Sequence, residues 1–170
     1  MTESAPKVIF EPLSSDVEMP IRGTEESAGY DIRAYVRGRS VQLRCSADED
    51  VRVVPVANGR LLLQPGDTAL VPTGFKARVP PGFEAQVRIR SSMAFKRGLS
   101  LPNAPGTIDA DYPEEWLIMV RNDSRRPVTI EHGERIAQTI LSRYAVLDWE
   151  VGEVGRVTDR QGGFGSTGES

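Results

Sequence analysis

A chain of 170 residues with 39% hydrophobic side chains is long enough for one domain with its own core and too short for two. Its 21 basic and 24 acidic residues leave a net charge of −3, which argues against a nucleic-acid polymer or an anionic membrane surface as the general partner. Cys45 and His132 are each alone of their kind, so an intrachain disulfide and a multi-cysteine zinc site are excluded, a Ser-His triad is not expected, and any metal should be held by oxygen. The lone cysteine and the lack of a long apolar run near the N-terminus make a reducing, cytoplasmic location the expectation.

Along the chain, short apolar runs punctuated by Pro, Gly and Asn recur, and no window of about a dozen residues keeps a helical period. The predicted strands are residues 7–10, 30–35, 41–43, 51–57, 60–63, 67–72, 75–78, 84–89, 107–108, 116–122, 128–130, 136–144 and 149–151. Asn58-Gly59 is the strongest short-range hairpin signal and pairs residues 51–57 with 60–63. Pro65-Gly66, Thr73-Gly74, Pro81-Gly82 and His132-Gly133 mark further turns. Ser91–Arg97 is predicted as one short helix, with Ser91 or Ser92 near its N-cap. The whole pattern is all-β, a jelly roll or related barrel. Residues 1–151 are expected to form a single β domain, and residues 152–170, rich in glycine and poor in core-forming side chains, a mobile C-terminal arm.

The segment Asn103-Ala-Pro-Gly-Thr-Ile-Asp-Ala-Asp-Tyr112 crowds an amide, two carboxylates and a phenol around a Pro-Gly pair. Pro105 presets φ and Gly106 accepts positive φ, which predicts a tight turn folding Asn103 back toward Asp109 across a hairpin. An amide carries a donor and an acceptor together, as reading a nucleobase edge requires, and a carboxylate offers a general base. Near the C-terminus, Arg160-Gln-Gly-Gly-Phe-Gly-Ser-Thr-Gly168 supplies an arginine, two hydroxyls and free backbone N–H groups, donors suited to a polyphosphate. It is not a P-loop, because no Lys follows the final Gly and no helix comes after it.

With Ala28-Gly-Tyr-Asp31, Arg90-Ser-Ser-Met-Ala94 and Gly133-Glu-Arg-Ile-Ala-Gln138, these two segments resemble, in order and content, the five motifs of the trimeric dUTPase family, the deoxyuridine triphosphate nucleotidohydrolases. The resemblance runs over about residues 7–168 and takes in Gln64-Pro-Gly-Asp-Thr68 and Val71-Pro-Thr-Gly74. It implies a jelly-roll-like dUTPase fold and hydrolysis of dUTP to dUMP and pyrophosphate, by Mg²⁺-assisted attack of water on the α-phosphorus. That reaction keeps uracil out of DNA and supplies dUMP for thymidylate synthesis. By the same resemblance Asp109 is the general base and Asp31 a carboxylate that orders the site and its water. Arg90, Ser91, Ser92 and Gln138 match positions that contact the triphosphate. Asn103 matches the uracil reader, with Thr107 in the same hairpin, and Tyr112 the ring that packs against the deoxyribose. Phe164 matches the aromatic that closes over the uracil, with Arg160, Gly165, Ser166 and Thr167 beside the phosphates. The implied Mg²⁺ is held through phosphates and water, with no direct protein ligand, and the implied assembly is a homotrimer with shared sites.

Four features depart from the family pattern. Ser92 stands where Gly is common, Pro113-Glu114 replaces a usual x-Gly, and the last motif is one residue short between Arg160 and Phe164. A longer connection at about residues 36–61 is expected to carry an inserted β ribbon built on Asn58-Gly59. Two other readings have their own signatures. A dCTP deaminase of the same superfamily uses a Glu where this chain has Met119, and would release ammonia from dCTP. A nonenzymatic regulator would bind dUTP tightly without turnover.

Overall fold

The computed structural model describes residues 5–158, which form fourteen strands and one short helix. In chain order these are β1 (Ile9–Pro12), β2 (Ile21–Arg22), β3 (Tyr30–Arg33), β4 (Ser40–Arg44), β5 (Val51–Pro55), β6 (Arg60–Leu63), β7 (Thr68–Pro72), β8 (Phe75–Arg78) and β9 (Phe83–Ile89). Helix α1 (Ser91–Arg97) follows, then β10 (Leu99–Ser100), β11 (Gly106–Ile108), β12 (Leu117–Asn122), β13 (Val128–Glu131) and β14 (Arg135–Arg143). No helix among the described residues is long and apolar enough to cross a membrane.

Alternation along the strands decides which faces turn inward. β12 buries Ile118, Val120 and Asn122 and leaves Leu117 and Arg121 outside, while β6 buries Leu61 and Leu63 between exposed Arg60 and Leu62. The strands assemble into two five-stranded antiparallel sheets, β10-β12-β7-β4-β5 and β11-β9-β14-β3-β2, with two smaller pairs, β1-β8 and β13-β6. Buried side chains from both sheets and the smaller pairs, among them Ile32, Val41, Leu63, Val71, Ile118 and Ile136, belong to one core cluster. This is the all-β, jelly-roll-like arrangement that the sequence predicts.

Three local expectations are corrected. The Asn58-Gly59 turn does form, with φ of 53° and 67° and an Arg60 N–H to Ala57 carbonyl bond of 3.0 Å, but it joins no β5–β6 ladder. β5 pairs along its whole length with β4, and β6 pairs with β13, because Leu61 and Leu63 are drawn into the core opposite Ile130 and Val128. The insertion is therefore a β4–β5 hairpin turning at Cys45–Asp50, and β4 also pairs with β7, so the hairpin widens the main sheet instead of standing off it. Residues 149–151 form no strand, since nothing among the described residues lies alongside to pair with them. Finally, Arg90 is the N-cap of α1, in extended conformation with no side-chain cap bond; Ser91 and Ser92 are the first two helical residues. β2 and β10 are two-residue strands, too short to leave a period in the sequence.

One buried amide fastens the main sheet to its surroundings. Asn122, fully buried, donates from Nδ2 to the carbonyls of Leu63 (3.0 Å) and Arg126 (2.8 Å), and its Oδ1 accepts the Ser124 N–H (3.0 Å) and hydroxyl (2.7 Å). Replacing it leaves several buried groups unpaired at once. Asn122→Ala is expected to lower the unfolding free energy by about 2–4 kcal/mol, read from urea denaturation. A change under about 1 kcal/mol would show that the amide is not a clamp.

Candidate active site

Asp31 sits in β3, opposite Gln138 of β14, and Gln138 faces Arg88 of β9 on its other side, so three neighbouring strands hold these residues level. Gly29 leaves room for the Gln138 amide: a Cβ there would lie 3.0 Å from Gln138 Cδ. Between Arg135 and Ala137 the β14–β3 register shifts, and the bulge places Ile136 so that its carbonyl accepts the Arg90 N–H at 3.1 Å. Arg90 is thereby fixed at the end of β9, where the chain turns into α1. Met93 anchors that helix in the core, and Gly98 ends it in the left-handed region, at φ 66°.

The Asp31 carboxylate lies between two guanidinium groups, 3.1 Å from Arg90 Nε and 2.9 Å from Arg135 Nη1. Its side chain is only 13% exposed, so both pairs act in a partly dry setting. One oxygen goes to each arginine. An acid so engaged aligns Arg90, and the strip as a whole keeps a positive excess suited to phosphate. Ser91 and Ser92, not used in capping, open α1 directly beside Arg90.

The Asn103–Tyr112 segment is not the predicted hairpin. Its two flanks lie in different sheets: β10 pairs with β12, whereas β11 pairs with β9. The turn closes through an Ala104 N–H to Leu101 carbonyl bond of 3.0 Å and contains a cis Ala104-Pro105 bond; Gly106 does not take positive φ. Gly106 is there for space, since a Cβ would meet Asn103 Nδ2 at 3.3 Å and Val87 Cβ at 3.4 Å. Asn103 thus lies against the start of β11, Thr107 points outward from its middle, and Asp109 leaves its far end. Asp109 and Tyr112 are both exposed, joined by a Tyr112 N–H to Asp109 carbonyl bond of 3.3 Å.

Register sets how far apart these groups are in one chain. Ile108 is opposite Ala85, so Asp109 emerges near Glu84, six residues and roughly 20 Å along β9 from Arg90. The structure brings Asp31, Arg90, Ser91, Ser92 and Gln138 together at one end of β9 and places Asp109 and Tyr112 toward the other.

Residues 56–168 match the model of the dUTPase family. The chain belongs to the dUTPase family. It is 36% identical over 164 residues to the deoxyuridine 5′-triphosphate nucleotidohydrolase of Leptospira interrogans, covering 95% of this chain and 99% of that protein. With the enzyme of the same name from Desulfotalea psychrophila it shares 40% identity over 153 residues, 89% of this chain and 88% of the relative. Among solved structures, the Streptococcus mutans dUTPase superposes with a TM-score of 0.62 at 27% identity, covering 82% of this chain and 98% of that one. The chain is accordingly an enzyme, a dUTP diphosphatase, and its reaction is the hydrolysis of dUTP.

Within the dUTPase frame, Arg160, Phe164, Gly165, Ser166 and Thr167 lie outside the described residues. Met119 lies half-buried in β12, paired with Leu70 of β7. Arg135, within the Gly133–Gln138 motif, is an ion-pair partner and shares the Asp31 carboxylate with Arg90. One residue not singled out in the sequence proves well placed: Glu115 lies just past Tyr112 and Pro113 with its carboxylate on the Gly74 N–H at 2.7 Å. The signal for Glu115 was a carboxylate directly before the buried Trp116, a position where an acid must find partners.

Asp31→Asn keeps the shape of the side chain and removes the charge that aligns Arg90. A drop in kcat/KM for dUTP of about 10- to 100-fold, with the fold intact by circular dichroism, is expected from pyrophosphate-release assays.

Proposed function

We propose that this dUTPase splits dUTP into dUMP and pyrophosphate at sites shared between the subunits of a homotrimer. The observation that carries the reading is the separation of roughly 20 Å along β9 between Arg90 and the strand end from which Asp109 emerges. One triphosphate cannot use both groups of a single chain, whereas two neighbouring copies bring one strand end of each to a common ligand.

Arg90, Ser91, Ser92 and Gln138 of one copy hold the triphosphate, with Asp31 keeping Arg90 in line. From another copy Asn103 and backbone groups beside Thr107 read uracil, Tyr112 fills the space that a 2′-hydroxyl would need, and Asp109 takes the proton of the attacking water. Buried polar readout of this kind rejects the wrong base strongly, because its partners are left unpaired. Asp31 has both oxygens on arginine, so the donor set fits Mg²⁺ held by phosphate oxygens and water and not by a protein cage. When bound, the ion neutralises charge on the leaving pyrophosphate. Residues 1–151 act as the body and residues 152–170 as an arm, in which Arg160, Phe164, Gly165, Ser166 and Thr167 close over the nucleotide. In a cytoplasmic setting the reaction keeps uracil out of DNA and supplies dUMP for thymidylate synthesis.

Assembly has independent support in exposed apolar surface. Val146, Leu147, Trp149, Val151, Val154 and Val157 all stand in solvent on a stretch without strand partners. An apolar cavity of about 380 Å³, lined in part by Val8, Phe10, Met19, Tyr30 and Leu141, also borders Trp116, whose buried indole N–H has no partner among the described residues.

Asp109→Asn is expected to abolish dUMP release while leaving binding of a nonhydrolysable dUTP analogue; normal turnover would remove Asp109 as the base. Mixing Asp109→Asn with Arg90→Ala subunits by joint refolding is expected to restore activity that neither variant has alone. No recovery in well-formed mixed oligomers would contradict shared sites.

A further inference from the structure

We propose that Arg39, contributed by the inserted segment, is a positioning residue for the loop that carries Asp109 and Tyr112. The proposal rests on the roles assigned to those two residues under the proposed function. Arg39 lies one residue before β4. Its guanidinium clasps the Glu115 carboxylate with both terminal nitrogens, Nη1 to Oε1 at 3.2 Å and Nη2 to Oε2 at 2.5 Å. A two-pronged contact of this kind fixes the direction of a carboxylate as well as its place.

The Glu115 side chain is 15% exposed and also accepts the Gly74 N–H at 2.7 Å, so three donors converge on one shielded anion. The partners behind it are firm. Gly74 has φ of 78°, and a Cβ there would come within 2.7 Å of the Tyr35 ring. Tyr35 in turn faces the Arg39 guanidinium, 5.9 Å from its ring centre, and donates its hydroxyl to Asp16 at 2.8 Å.

From Glu115 the order passes into the loop. The Tyr112 hydroxyl donates to the Glu115 backbone carbonyl at 3.3 Å, and the Tyr112 N–H donates to the Asp109 carbonyl at 3.3 Å. A continuous path of bonds therefore runs from Arg39 through Glu115 and Tyr112 to Asp109. Beyond Glu115 the chain is tied to the core, with the Trp116 N–H on the Phe75 carbonyl at 3.1 Å and the Thr73 hydroxyl on the Trp116 carbonyl at 2.8 Å. Before it, Pro113 offers no N–H, and exposed Glu114 reaches, among the described residues, only Lys76, at 3.9 Å. The Arg39–Glu115 clasp is thus the joint between the rigid sheet and the exposed turn. Without it the Tyr112 ring and the Asp109 carboxylate move together relative to the sugar, and small displacements of reacting groups lower rates steeply.

The test is steady-state kinetics of the full-length oligomer on dUTP and UTP. Arg39→Met keeps an apolar stem against Tyr35 and removes the fork. A fall of about tenfold in kcat/KM for dUTP is expected, with a comparable loss of preference for dUTP over UTP. Arg39→Lys should recover only part of this, since a point charge cannot make the two-pronged contact. Glu115→Gln should resemble Arg39→Met, and the double variant should be no worse than either single one. Wild-type rate and preference in Arg39→Met and Glu115→Gln would overturn the proposal. So would a loss of rate, or of thermal midpoint, that leaves the dUTP-over-UTP preference intact in both. Asp109→Asn run alongside keeps the two ideas apart: turnover in that variant counts against Asp109 as the base, whatever Arg39 does.

Discussion

The pairing of β14 with both β9 and β3 is the constraint on which the rest depends. β14 matches seven positions of β9 on one side and four of β3 on the other. Asp31, Gln138 and Arg88 are level only because those two ladders share a strand. A slip of one residue in either would turn Gln138 toward the opposite face and carry Ala137 out of the core. The bulge at Arg135–Ala137 works within this frame: it lets Ile136 and Ala137 both be buried while the Ile136 carbonyl holds the Arg90 backbone. Packing and the placement of Arg90 are therefore set by the same hydrogen bonds.

Much of this was legible in the sequence, for physical reasons that differ from element to element. β9 carries apolar residues at every second position, and its period locates it, while β6, β7 and β12 show as short apolar runs bounded by turn or polar residues. α1 was legible from the break in that period between two strand-like runs. What could not be read is partner choice. Asn58-Gly59 is a sound local turn, but whether β5 follows it back onto β6 depends on the burial of Leu61 and Leu63 opposite β13, a contact between distant parts of the chain. Gly106 illustrates the same limit within the site. A glycine after proline suggests positive φ, whereas here the residue is small because Asn103 and Val87 crowd it. The residue types of the candidate site stand in the sequence, but the placement of Arg90 and Asp109 toward opposite ends of β9 follows from register, which no single segment encodes.

The two halves also differ in how they are held. Around Asp31, charged groups satisfy one another in a partly buried strip, and the arginines are aligned before any ligand arrives. The Asp109–Tyr112 loop is exposed and reaches the sheet through a few bonds, chiefly those of Glu115 and Trp116. In the proposed function the fixed surface receives phosphate, whose charge is the same in every nucleotide. The loop there makes the contacts that choose uracil and deoxyribose, since closing around small differences in shape suits a loop better than a sheet.

The β4–β5 hairpin has a further consequence, for the edge of the sheet. With the hairpin present, β7 lies between β12 and β4, and its Ala69 and Val71 are buried. The outer edge is instead β5, which carries Arg52, tied to Asp48, and ends in Pro55. Charge and proline discourage a stray strand from adding there. A chain shortened by rejoining residue 36 to residue 57 would lose more than an ornament. Its apolar β7 would become a bare edge with unpaired backbone groups, a template for aggregation.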